Sequence, residues 1–553
     1  MKPIVRTVSI ILMLGLMLGG LSVTWQPSAQ AQAQGGGAPA ANQPTPPPMP
    51  PDVKAYNDAN RISDPQKKIE AMEKFLVDFP KSGGVSSAHQ AIMNTLIKNM
   101  PDQKDRILMA MEKYFEPTPE ANRGFAYGQV ANALVEANIL LEKAEELANK
   151  ALALTEEQQA KTLRQARATN QALIGRIYLN KGKTKEAEKA FQAAYTALPL
   201  ADASAPALKM AALGLAELAE KDGKSDKVVE YLATASIFGA LNAKAKQQLE
   251  TAYRKTHKDS LAGLEDMVDA KYEKAFPHPV KVAAYTPSSA RTNRTVLAEV
   301  FTGSGCPPCV AADLAFDAFL GRHSRKDLVV LMYHQHIPQP DPMTNPSSLA
   351  RYPYYNPRGV PTMAIDGDSS VSGGGPRSAT KSTYDRLLPL IDKALEAKAE
   401  AEIKLDATMT GSAIKVLANV KPTQAEASNL KLHIALVEEH LRYVGENGIR
   451  IHPMVVRSLA GEKSGGFALG EKPEAISWSF DLSAITQETK QALDEFEVKR
   501  KATDGYTFAE KKHVIDPSQL SVVAFVQDEK TKKVLQTVLV KVNGSQSAST
   551  GTR

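Results

Sequence analysis

The two cysteines of this 553-residue chain stand three apart, in Cys306-Pro307-Pro308-Cys309. Thiols kept as C-x-x-C in so long a chain point to thiol–disulfide chemistry, with Cys306–Cys309 as the disulfide of the oxidised form. A structural zinc site needs about four nitrogen or sulfur ligands, and no second cysteine pair supplies them. Neither a metal nor another cofactor is therefore assigned.

The residues around the pair predict the elements that position it. Val296 to Phe301 reads as a buried strand, Thr302-Gly303-Ser304-Gly305 as a turn, and Val310 to Leu320 carries helical spacing. The first cysteine then falls at a helix start, where free amides and the helix dipole favour a thiolate. Cys306 is expected at the exposed turn as the attacking thiol. Cys309, one turn inward and partly buried, is expected to resolve the mixed disulfide. Pro307 and Pro308 suit a first helical turn. They also remove two N–H donors near Cys306, which limits the drop in its pKa and biases the pair toward reduction. Downstream, Asp327 to Tyr333 is a second apolar strand. Gly359 to Gly367 is a third, opened by Val360-Pro361-Thr362, and Pro361 is a candidate for a cis bond beside the redox helix. Ser382 to Lys398 reads as a closing helix.

Strand, C-x-x-C helix, strand, Val-Pro-Thr strand and helix together resemble the thioredoxin superfamily. The Pro307-Pro308 spacer is like that of its TlpA-like, tryparedoxin and nucleoredoxin branches. The resemblance covers roughly residues 290–398 and implies Cys306, Cys309 and Pro361 as the catalytic set. Pro307, Pro308, Val360 and Thr362 are the supporting motif. Two positions depart from the family. The aromatic usual before the first cysteine is Gly305. Where the family often has a buried acid six residues before the first cysteine, this chain has Val300. Glu299 is adjacent but on the other strand face, so it could serve Cys309 only if the turn absorbed one residue.

Both ends of the chain bear on where this chemistry happens. Lys2 and Arg6, the apolar run Val8 to Leu21, and Ala29-Gln30-Ala31 read as a bacterial-type signal peptide over 1–31. The alternative is an uncleaved anchor, which would give the protein's one membrane contact. Either way the protein is expected outside the cytoplasm (periplasmic, secreted or associated with the outer envelope), where a disulfide persists. Residues 32–51 are a Pro/Gly-rich linker too poor in apolar surface to fold. Residues 544–553 read as a disordered tail. The net charge of +6 is modest, and without a basic patch interleaved with aromatics there is no case for nucleic acid.

Residues 52–275 carry helical spacing almost throughout. Gly175, Tyr178, Gly182, Ala187, Phe191, Ala194 and Pro199 lie at the intervals of the tetratricopeptide repeat, which this stretch resembles. Weaker copies surround it: Ala71, Phe75 and Pro80; Ala144, Ala148 and Ala151; and Leu215 to Ala235. The expectation is an all-α tetratricopeptide-like solenoid, serving either as a binding surface or as a plain spacer.

From Ala401 the period changes to two, and about seven strands are predicted between residues 400 and 543. They suggest an all-β, immunoglobulin-like sandwich. His452 to Arg457 with Gly465-Gly466, and Val522 to Asp528 with Val534-Leu535-Gln536, are similar to a bacterial outer-membrane-associated family that joins a thioredoxin-like domain to a β-sandwich.

The expected architecture is thus multidomain: the solenoid, an α/β thioredoxin-like domain over 285–398, and the sandwich. The expected function is a thiol–disulfide oxidoreductase acting on protein clients, with a separate redox partner and with the repeats recruiting the client. Two alternatives stand beside it. One is a protein-binding envelope scaffold with an inert disulfide. The other is copper delivery through Met332, His334, His336 and Met343 with the cysteines. Tyr352, Tyr354 and Tyr355 either contact a partner or pack their own loop.

Overall fold

The computed structural model describes residues 49–544 apart from 156–160, 201–204, 372, 424–428 and 462–464. The segment 1–31, nearly all of 32–51 and the tail beyond Gly544 lie outside the described residues.

The N-terminal helices are α1 (Pro51–Asn60), α2 (Pro65–Asp78), α3 (Val85–Asn99), α4 (Lys104–Phe115), α5 (Glu120–Glu136), α6 (Leu141–Ala153), α7 (Lys161–Asn180), α8 (Thr184–Thr196), α9 (Ala205–Lys221), α10 (Ser225–Ser236), α11 (Ala243–Thr256) and α12 (Leu264–Ala275). Among the described residues, side-chain caps start two of them. Asp64 accepts from the Lys67 amide (2.8 Å), and Asn242 from the Ala245 amide (2.9 Å). Gly182 and Gly223 close α7 and α9 in the left-handed backbone region that glycine adopts without strain. Ala187, Phe191 and Ala194 recur at helical spacing and are buried along α8. This is a helical-repeat region, with the Gly175 to Pro199 unit forming the α7–α8 hairpin.

The chain divides into two compact units, 1–214 and 215–553. The first holds α1 to α8 and most of α9. The second holds α10 to α12 and everything that follows.

In the second unit come β1 (Val296–Thr302), α13 (Cys309–Arg322), β2 (Leu328–His334), α14 (Pro346–Arg351), β3 (Thr362–Ile365), α15 (Thr380–Ala394), β4 (Ala401–Thr410), β5 (Ala413–Pro422), β6 (Leu430–Arg442), β7 (Ile451–Leu459), β8 (Phe467–Ala468), β9 (Glu474–Asp481), α16 (Leu482–Asp504), β10 (Leu520–Asp528) and β11 (Val534–Lys541). A mixed sheet runs β11-β10-β6-β7-β2-β1-β3, with β8 added to β6, and β4-β5-β9 form a separate sheet. β1 pairs parallel with β2 and antiparallel with β3, and β2 meets β7 in parallel. Strands β1 and β2 are buried at every position, as a strand covered on both faces must be. A single sheet therefore runs through both 285–398 and 400–543. Between that sheet and β4-β5-β9 lies an apolar core that includes Ala407, Val416, Val420, Ile434, Leu436, Val522 and Ala524.

The two-residue period predicts an all-β interval over 400–543, but the interval is not purely β. It also contains α16, of 23 residues. Its signals are local. Asp481 caps it by accepting from the amides of Ser483 and Ala484, and Gly505 ends it.

Candidate functional site

The redox turn is built by β1 and α13. β1 delivers the chain to residues 303–308, and α13 begins at Cys309 with Pro308 at its N-cap. The Cys306 amide donates to the Gly303 carbonyl (3.0 Å) and the Cys309 amide to the Cys306 carbonyl (3.2 Å). Those two bonds curl the turn until the sulfurs join, with Cα atoms 5.3 Å apart. Pro307 and Pro308 occupy its exposed tip.

The Val360-Pro361 bond is cis, and the Val360 carbonyl lies 3.8 Å from the Cys306 sulfur. The Thr362 hydroxyl donates to the Gly359 carbonyl (2.6 Å), which braces the same loop. Gly375 completes the surround: its amide donates to Pro308, and its carbonyl accepts from Ala311. Cys306, Cys309, Val360 and Pro361 thus lie together, although more than fifty residues separate the two pairs.

Exposure differs from expectation. The sequence predicts Cys306 at an exposed turn, yet both cysteines are fully buried. Two segments cover the loop that leads to Cys306: residues 337–345, which include Met343, and the β6–β7 turn at 443–450. Both pack on Gly303, Ser304 and Gly305.

Polar groups gather behind the turn. Asp313 lies one helical turn beyond Cys309, so the two side chains share a face of α13. Its Oδ2 accepts from the Thr302 hydroxyl (2.8 Å), while buried Oδ1 has no hydrogen-bond partner among the described residues. Burial pushes the Asp313 carboxyl up to about 7, against the smaller opposing pull of Thr302 and His334. Asp341 is buried beside it. It accepts from the amides of Ser304 (2.6 Å) and Met343 (2.8 Å), and pairs with Nδ1 of His334 (2.8 Å). Burial alone would raise the Asp341 carboxyl, but His334 and the two amides outweigh it and hold the group at about 2. Burial lowers His452, whose ring is 5.1 Å from that of His334, to about 3.

No protein-family model matches this chain, and no curated protein matches it. Solved structures similar to parts of it include the following three. HBP35 of Porphyromonas gingivalis aligns at a TM-score of 0.34 and 14% identity, over 48% of this chain and 80% of that one. Pseudomonas aeruginosa pilF aligns at 0.28 and 15%, over 41% and 94%. PilW, titled a widely conserved type IV pilus biogenesis factor, aligns at 0.28 and 14%, over 41% and 93%. Scores this low carry nothing about activity.

Glu299 does not reach Cys309. Thr302 faces α13, and alternation along β1 turns Glu299 to the opposite side. There it accepts from Arg351 Nε and Nη2 (2.9 Å each), from the Tyr333 hydroxyl (3.0 Å) and from the Tyr355 hydroxyl. Tyr354 stacks on Arg351 at 4.2 Å. Tyr352 lies 5.6 Å from Phe301 in ring-centroid distance, so these tyrosines pack against β1 and Arg351. The copper candidates are dispersed. His334 is engaged by Asp341, His336 stacks on Phe496 (3.7 Å), and Met343 packs with Leu441 and Val455. Among the described residues no group of three or more His, Cys, Asp or Glu could hold a metal, and no helix is long and apolar enough to cross a membrane.

Asp313 is the site residue that sequence reading missed. The available signal was its position four after Cys309, on a helix otherwise apolar through Phe316.

Proposed function

We propose that this chain is an exported thiol–disulfide oxidoreductase of thioredoxin-like kind, acting on protein cysteines through Cys306 and Cys309. Residues 285–398 would form its thioredoxin-like part and 400–543 its sandwich, and the helical repeats would recruit the client. The observation that carries this reading is the joining of Cys306–Cys309, at the start of α13, to the Val360-Pro361 loop, with a buried acid one turn along the helix.

Each residue has a step. In the reducing direction the Cys306 thiolate attacks a client disulfide. One client sulfur bonds to Cys306 and the other leaves as a thiolate. The Asp313 carboxylate takes the Cys309 proton, and the Cys309 sulfur attacks Cys306. The client is released as its second thiolate and the pair is oxidised. A separate dithiol partner then reduces the pair. In the oxidising direction the steps reverse, and Asp313 returns the proton to Cys309. A carboxyl near 7 can do both.

Trapping tests this. Cys309→Ser is expected to accumulate mixed disulfides with envelope proteins on non-reducing gels, and Cys306→Ser to accumulate few. Equal trapping by the two variants contradicts the assigned roles.

The second reading, a binding scaffold stapled by an inert disulfide, is favoured by one observation: neither sulfur is accessible to solvent. Under it neither variant traps a client.

A further inference from the structure

Cys306 and Cys309 are buried, and the loop that leads to them is itself covered. Residues 443–450 join β6 to β7 and lie across the loop that leads to the disulfide. The Asn447 amide donates to the Ser304 carbonyl (2.9 Å), and its side-chain amide donates to the Gly303 carbonyl (3.3 Å). Gly445 passes so close to Ser304 that a Cβ there would overlap the Ser304 carbonyl. Ile449 packs against Val310 and Leu314, on the first turns of the redox helix. From the other side, Gln339 covers Gly305, where a Cβ would lie 2.8 Å from the Gln339 Cβ. An aromatic at position 305 would be excluded by the same contact.

The hairpin is held from outside the sheet by α12. Asp269 accepts from Arg442 Nε and from Arg450 Nε (2.7 Å each), and Glu265 accepts from Arg450 Nη2 (2.6 Å). The Tyr272 hydroxyl donates to the Gly448 carbonyl (2.8 Å) and accepts from Arg377 Nη2 (2.9 Å). Asp269 is mostly buried and Arg450 is 7% exposed on its side chain. Charge-assisted bonds of that kind hold a geometry far better than exposed surface pairs.

The geometry points to residues 443–450 as a cap that closes the Cys306–Cys309 disulfide to protein thiols, with α12 as the latch that holds the cap down. This rests on the reading of the pair as an exchange site. A client or reductant must lift Asn447 off Gly303 and Ser304 before its sulfur can approach Cys306. That motion breaks the bonds from α12, so whatever moves α12 sets the reactivity of the pair.

The test is the rate at which the full-length oxidised chain is reduced by a small protein dithiol, which becomes a disulfide as Cys306 and Cys309 become two thiols. The probe is a protein of the thioredoxin class, followed by alkylation and mass. Asp269→Ala removes the shared acceptor of both arginines and is expected to raise the rate about tenfold, equivalent to ~1.4 kcal/mol less holding the cap. Tyr272→Phe removes one bond to the cap, that to the Gly448 carbonyl, together with the bond from Arg377, and guards against misfolding of the first variant; it is expected to raise the rate by a smaller factor. Hydrogen exchange of the Asn447 amide is expected to quicken in the same order. Rates in both variants equal to that of the unaltered chain, with Asn447 exchange unchanged, overturn the cap. Failure of the exchange reading looks different: Cys309→Ser then traps no client even in the Asp269→Ala background.

Discussion

Two buried carboxylates flank strand β1, and they are built in opposite ways. Glu299 is 1% exposed and both oxygens are engaged, by Arg351, Tyr333 and Tyr355. Burial would raise its pKa, but these partners outweigh that and keep it below the ordinary carboxylate range. Asp313, on the other side of the strand, is 5% exposed and has one bond, from Thr302. No cation hydrogen-bonds to it among the described residues; burial outweighs the pull of Thr302 and of the nearby His334, and it sits near 7. A carboxylate whose every lone pair is answered by a rigid donor is a structural group. A carboxylate buried with an oxygen unanswered is poised to change its charge. On the proposed function, the side of β1 facing α13 is the one that would carry chemistry, and the side facing Arg351 the one that would carry stability.

The larger effect is expected on the Arg351 side. Glu299→Gln leaves the Arg351 guanidinium buried without a counter-charge and is expected to cost ~3–5 kcal/mol in urea unfolding. The pH dependence of disulfide exchange is expected to stay unchanged. A cost under about 1 kcal/mol would remove the contrast on which the two roles rest.

On the other side, Asp313→Asn is expected to act through pH. An acid whose folded pKa is raised favours the fold below its unfolded value, near 3.8, and that contribution is lost as pH rises through about 7. Asparagine does not titrate. The stability of the variant relative to the unaltered chain should therefore climb by about 3 kcal/mol between pH 4 and pH 8. Resolution of mixed disulfides by Cys309 should slow about tenfold near neutral pH and lose its inflection near 7. A flat stability difference across that range contradicts the assignment of the acid.

Much of this arrangement was legible in the residues. The strand, turn and helix around Cys306 and Cys309 follow from local periodicity and from proline placement. The helix hairpin at Gly175 to Pro199 follows from its repeat spacing, and the alternation on β1 already turned Glu299 away from α13. What escaped was set by long-range contact. That β7 lies beside β2 joins residues more than a hundred apart, and no local pattern encodes it. The cover over Gly303, Ser304 and Gly305 comes from Asn447 and Gln339, whose types announce nothing by themselves. Asp313 escapes because the family pattern places an acid on the strand before the cysteines, whereas the buried acid nearest them in sequence lies on the helix after them. α16 was hidden differently: its cap Asp481 and stop Gly505 were readable, but the two-residue period on either side dominated the reading.

The most direct test of the central claim, that Cys306–Cys309 is a working redox pair, is its reduction potential. The full-length chain is equilibrated in glutathione and dithiothreitol buffers of graded ratio until forward and reverse titrations coincide, and the oxidised fraction is read by alkylation and mass. A single reversible two-electron transition between about −300 and −120 mV, the span of known exchange proteins, is the expected result. A pair that stays oxidised in every buffer would contradict it and leave the disulfide a structural staple.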